Sequence, residues 1–117
     1  MKKIYHLETC KTCQKILIEL EPLDGIELRE IKSKGINSDE LEEMRALTDS
    51  YEDLFSRRAM LFRQRGLNNQ ELRDDDYKNL ILEHYTFLKR PVVIVDNQIF
   101  IGNAKKQVEG AKTELHG

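Results

Sequence analysis

The chain has 117 residues, a formal net charge of −2 and two cysteines. That length suits one domain, burying roughly two-thirds of its unfolded surface without covalent staples. The charge argues against direct nucleic-acid binding. No run approaches the about 18–20 apolar residues of a membrane span, and Met1-Lys2-Lys3-Ile4-Tyr5 lacks the apolar core of a signal peptide. A cytoplasmic location with reduced thiols is expected.

In chain order, Ile4-Tyr5-His6-Leu7 is a β-prone apolar run. From Cys10 onward, Cys13, Ile16, Leu17 and Leu20 recur at three and four, the stripe of a helix that Pro22 and Gly25 close. Ile26-Glu27-Leu28 alternates as a second strand extending toward Ile31, giving a β-α-β unit with parallel strands. Lys34-Gly35-Ile36 is a break, and Asn37 with Glu40 forms a capping-box pattern ahead of Leu41, Met44 and Leu47. Helical spacing continues from Tyr51 to Tyr85, divided at Gly66 and Asn68-Asn69, so an all-helical insert is expected over about 38–86. Arg90-Pro91 stops it, because the residue before proline is pushed to extended geometry. Val92-Val93-Ile94-Val95 and Ile99-Phe100-Ile101 read as two strands joined by a tight hairpin at Asp96-Asn97-Gln98. Ala104, Val108, Ala111 and Leu115 mark a final helix.

The order β-α-β, helical insert, β-β-α predicts a four-stranded mixed sheet with helices on both faces. Cys10-Lys11-Thr12-Cys13 falls at the first strand-to-helix turn, where C-x-x-C is a redox signature of a thioredoxin-like fold. Unpaired N–H groups and the positive end of the helix dipole favour a thiolate at Cys10, with Lys11 and Lys15 nearby. Cys10 is therefore the expected nucleophile. Cys13 lies on the apolar stripe and suits a buried resolving thiol. A structural zinc would need two further ligands, and His6, His84 and His116 lack the spacing to supply them.

Thr9 is expected to cap the helix, and Thr12 to cap it or donate to the thiolate. Arg57, Arg58, Arg63 and Arg65 form a basic cluster, read as a solvated helix face or as a surface for an oxyanion, glutathione or an acidic protein. His6 and His84 read as structural. Asp74-Asp75-Asp76 reads as a loop or helix start.

These pieces, with Ser56-Arg57-Arg58, the segment His84-x-x-x-Leu88-Lys89-Arg90-Pro91-Val92 and Ile101-Gly102, resemble the arsenate reductase/Spx family of the thioredoxin superfamily over nearly the whole length. The resemblance implies a cis Pro91 facing the cysteine turn and an Arg90 pointing at the reactive thiol. Arg90 would stabilise the thiolate and contact an oxyanion through its planar fork.

The resemblance carries two functions. Arsenate reductases of the family use three arginines around one essential cysteine; Arg90 matches one, while the others align with Ser56 and Gly102. A thiol oxidoreductase acting on an oxyanion or disulfide substrate is then expected. It binds no cofactor, and glutathione, glutaredoxin or thioredoxin serves as reductant. Spx-like members are redox-switched transcriptional regulators that bind the C-terminal domain of the RNA polymerase α subunit. Their C-x-x-C is matched by Cys10 and Cys13, and the glycine they use for that contact aligns with Ser50.

Overall fold

All residues from 1 to 117 are described in the computed structural model, and its strands follow the apolar runs. They are β1 (Lys2–His6), β2 (Glu27–Glu30), β3 (Val92–Val95) and β4 (Gln98–Ile101), in the sheet order β2-β1-β3-β4. β1 runs parallel to β2 with Ile4 opposite Leu28, and antiparallel to β3 with Ile4 opposite Val93. The β3–β4 hairpin pairs Val95 with Gln98, so Asp96-Asn97 alone forms the turn, and Gln98 belongs to the strand. Asp96 adopts a φ of 53°, a left-handed value that aspartate tolerates in a two-residue turn.

The helices α1 (Lys11–Glu19) and α6 (Lys105–His116) join the sheet in one unit, which comprises Met1–Lys34 and Arg90–Gly117. Both pack on one face of the sheet. Ile16 and Leu20 with Val108, Ala111 and Leu115 cover Ile4, Val93 and Val95. Each valine, leucine or isoleucine among these contributes roughly 1.5–3 kcal/mol on burial. Ala104, expected on the apolar stripe, is instead the exposed N-cap of α6. A short helix, α2 (Ile31–Lys34), follows β2 directly, where the sequence suggests continuing strand.

The second unit is the insert, Gly35–Lys89. It holds α3 (Ser38–Arg45), α4 (Met60–Gln64) and α5 (Asp74–Glu83), with 3₁₀ turns at Glu52–Leu54, Leu67–Asn69 and Tyr85–Phe87. The capping box is complete: Asn37 Oδ1 accepts from the Glu40 N–H at 2.8 Å, and Glu40 Oε1 accepts from the Asn37 N–H at 3.1 Å. Gly66, with φ 67°, divides the helical run as its spacing suggests. Phe55 anchors the core, with ring centroids 5.7 Å from Phe62, 4.8 Å from Tyr77 and 5.3 Å from Phe87. The Asp74-Asp75-Asp76 run opens α5, where acidic side chains complement the helix dipole.

Candidate thiol site

The site grows out of the β1–α1 turn. After β1 ends, the Cys10 N–H donates to the Leu7 carbonyl at 3.1 Å, closing a turn that makes Cys10 itself the N-cap of α1. Thr9, expected to cap, is exposed and one residue too early for that role. Cys10 is half-buried and Cys13 is fully buried; both are free thiols.

Their acidities diverge. Burial pushes the Cys10 thiol up, but the Cys13 backbone N–H and thiol, the Thr12 N–H and the Arg90 charge together outweigh it and leave Cys10 below the usual thiol range. As a sulfur it closes no cap hydrogen bond of ordinary geometry, so these donors act on its charge rather than completing the helix cap. Cys13 is pushed up to about 11, first by burial and then by the neighbouring Cys10 charge, against a backbone hydrogen bond from Leu7 and the Arg90 charge. Near neutral pH, Cys13 is therefore a thiol able to donate to Cys10.

Arg90 and Pro91 enter from the strand side. The Arg90-Pro91 bond is cis, Pro91 is buried, and its carbonyl accepts from the Gly102 N–H at 2.9 Å. Arg90 is half-buried, and its charge reaches both sulfurs. Gly102 sits at φ 86°, a conformation that a longer side chain adopts only with strain. Thr12 is exposed and contributes its backbone N–H, not its hydroxyl, to the Cys10 environment.

Cys10, Thr12, Cys13, Arg90 and Pro91 all belong to the sheet unit, whereas Arg57 and Arg58 belong to the insert. There, Arg57 pairs with the Glu52 carboxylate, donates to the Tyr77 hydroxyl at 3.0 Å and stacks 5.5 Å from the Tyr77 ring; Arg58 is exposed. Ser56 is held through its backbone, its N–H donating to the Phe87 carbonyl at 2.8 Å. His84 caps a 3₁₀ turn, its Nδ1 accepting from the Thr86 N–H at 3.1 Å, in keeping with a structural role.

Two side chains that the sequence did not single out brace the Cys10 turn. Gln14 Nε2 donates to the Glu8 carbonyl at 2.6 Å, and Glu30 Oε2 accepts from the Glu8 N–H at 2.9 Å. The signal for Glu30 was available in principle, because parallel pairing sets His6 opposite Glu30 and so brings residue 30 to the start of the cysteine turn.

A C-x-x-C at the first strand-to-helix turn of this mixed sheet, with a cis-proline leading into the third strand, defines a thioredoxin-like protein. Within that class the chain belongs to the ArsC family, whose model matches residues 5–111. It is 30% identical to global transcriptional regulator Spx 2 of Bacillus anthracis over 87% of this chain and 79% of that protein. To Spx of Bacillus subtilis it is 26% identical, over 92% and 84% respectively. Among solved structures it resembles an arsenate reductase from Vibrio cholerae, with a TM-score of 0.73, 23% identity and coverage of 94% of this chain and 96% of that one. It also resembles an arsenate reductase related protein from Brucella melitensis, with a TM-score of 0.67, 24% identity and coverage of 93% and 92%. No helix is long and apolar enough to cross a membrane.

Proposed function

We propose that the protein is a thiol oxidoreductase in which Cys10 is the nucleophile and Cys13, or glutathione, resolves the intermediate. The observation that carries this is the split between the two sulfurs, one held below the usual thiol range and the other pushed up to about 11. On a disulfide substrate, the Cys10 thiolate attacks one sulfur, forms a mixed disulfide and releases the other sulfur as a thiolate. Cys13 then loses its proton to solvent, attacks the Cys10 sulfur and releases the substrate's second thiolate. The Cys10–Cys13 disulfide now holds the oxidising equivalents, and a dithiol reductant of the thioredoxin or glutaredoxin type, or two glutathiones, returns it to two thiols. Forming the mixed disulfide neutralises Cys10, so its charge no longer opposes ionisation of Cys13. The chemistry prepares its own second step. Arg90 holds the developing charge throughout, and Pro91 and Thr12, in the same unit, are the remaining candidates for substrate contact.

A tetrahedral oxyanion is the weaker substrate. Bidentate arginine contacts contribute a few kcal/mol each, and the two further family arginines correspond to Ser56 and Gly102, the latter at φ 86°.

That same deficit, with curated relatives that are global transcriptional regulators, supports a second reading. In it, a non-catalytic Spx-like protein changes its affinity for the RNA polymerase α C-terminal domain when Cys10 and Cys13 oxidise. Turnover decides between them. The oxidoreductase consumes reductant with a small disulfide or arsenate, and Cys10→Ser abolishes this. The regulator shows no turnover and binds the polymerase α domain only in one redox state.

A further inference from the structure

Glu30 ends β2, and its two carboxylate oxygens do different work. Oε1 accepts from the Lys32 N–H at 2.8 Å, the Ser33 N–H at 2.8 Å and the Ser33 hydroxyl at 3.0 Å, satisfying the first turn of α2. Oε2 reaches across to the Glu8 N–H at 2.9 Å, 22 residues away in sequence. The Glu8 carbonyl is held from the other side by Gln14 Nε2 at 2.6 Å. Both backbone groups of the residue two before Cys10 are therefore fixed by side chains, and neither bond is needed to form the sheet or α1. The turn they hold leads directly into Cys10, the N-cap of α1.

We propose that Glu30 is a positioning residue for Cys10, gripping the Glu8 peptide so that the sulfur stays within the donors that favour its thiolate. This deepens the functional reading above and rests on Cys10 being the reactive thiol. Any field from the Glu30 charge at Cys10 would act in the opposite sense, since a carboxylate disfavours a nearby thiolate. The two effects therefore predict shifts of opposite sign when the charge is removed.

Glu30→Gln separates them. Glutamine keeps an oxygen for the α2 turn but presents an NH₂ group to the Glu8 N–H, donor against donor. The experiment is the pH dependence of Cys10 alkylation by iodoacetamide, read by mass spectrometry, alongside amide hydrogen exchange at Glu8. Expected is a rise of about half a pKa unit, roughly a threefold loss of thiolate at a fixed pH below the midpoint, together with faster Glu8 exchange. Glu30→Asp caps α2 but is one methylene too short to reach Glu8; it should raise the midpoint in the same direction and serves if the Gln variant does not fold. Ser33→Ala, which deletes only the local hydroxyl bond, should leave Cys10 at its wild-type midpoint. A Glu30→Gln or Glu30→Asp midpoint at or below wild type, or an equal shift in Ser33→Ala, overturns the positioning role. The wild-type midpoint alone judges the activated thiol: an ordinary value there refutes that reading, while the shift between wild type and variant still decides Glu30.

Discussion

Cys13 should act on Cys10 through its thiol hydrogen, and two substitutions separate that effect from disulfide formation. Cys13→Ala removes the donor; Cys13→Ser keeps a donor of similar size in the same place. Both abolish the disulfide. A hydrogen bond to a charged group contributes about 1.5–3 kcal/mol, but S–H is a weak donor and Cys10 is half-buried, so solvent screens part of it. A contribution of about 0.7 kcal/mol is reasonable, equivalent to about half a pKa unit. The Cys13 backbone N–H, the Thr12 N–H and Arg90 remain in either variant, so Cys10 should stay acidic relative to an ordinary thiol. The assay is site-resolved alkylation against pH on the reduced protein, with circular dichroism to confirm folding. Cys13→Ala should raise the Cys10 midpoint by about half a unit, and Cys13→Ser should leave it near wild type. Equal midpoints in wild type and Cys13→Ala, or equal rises in both variants, would refute the thiol donor.

Three further outcomes test the scaffold. Asn37→Ala removes the acceptor for the Glu40 N–H and should cost about 1 kcal/mol, lowering the thermal midpoint by about 3–5 °C; an unchanged midpoint would contradict the capping box. Gly110→Ala would ordinarily stabilise a helix by about 1 kcal/mol. Here a Cβ would stand 2.8 Å from Phe100 Cε1, and overpacking of about 1–3 kcal/mol should reverse the sign in denaturant melts. Glu30 titrates at about 2 in the fold against an ordinary 4.5, its four hydrogen bonds outweighing the opposing effect of burial. The unfolded chain therefore takes up that proton first. Glu30's stabilisation should be complete above about pH 5 and fade toward pH 2, and Glu30→Gln should flatten that part of the stability–pH profile.

Local signals carried furthest in the sequence. The capping box at Asn37, the break at Gly66 and the β-branched run at Val92–Val95 act over a few residues and emerge as written. The C-x-x-C at the end of the first strand was equally legible, because strand-to-helix turns place their chemistry by local spacing. Long-range closure was not. Nothing in the run after Leu28 shows that α2 forms at Ile31, because that turn depends on Glu30 accepting from its N–H groups. The same carboxylate reaches Glu8, which only strand register reveals. The N-cap shifted from Thr9 to Cys10 because a backbone bond to Leu7 set the turn, overriding threonine's preference. Arg57 reads in sequence as spare positive charge, yet Glu52 and Tyr77 engage it within the insert.

Site-resolved alkylation of the wild-type protein from pH 5 to 11 reads both sulfurs at once. The Cys10 midpoint should fall clearly below about 8.5, with Cys13 unlabelled until the pH nears its value of about 11. Cys10 titrating as an ordinary thiol, or Cys13 labelling alongside it, would rule out an acidic Cys10 backed by a reluctant Cys13.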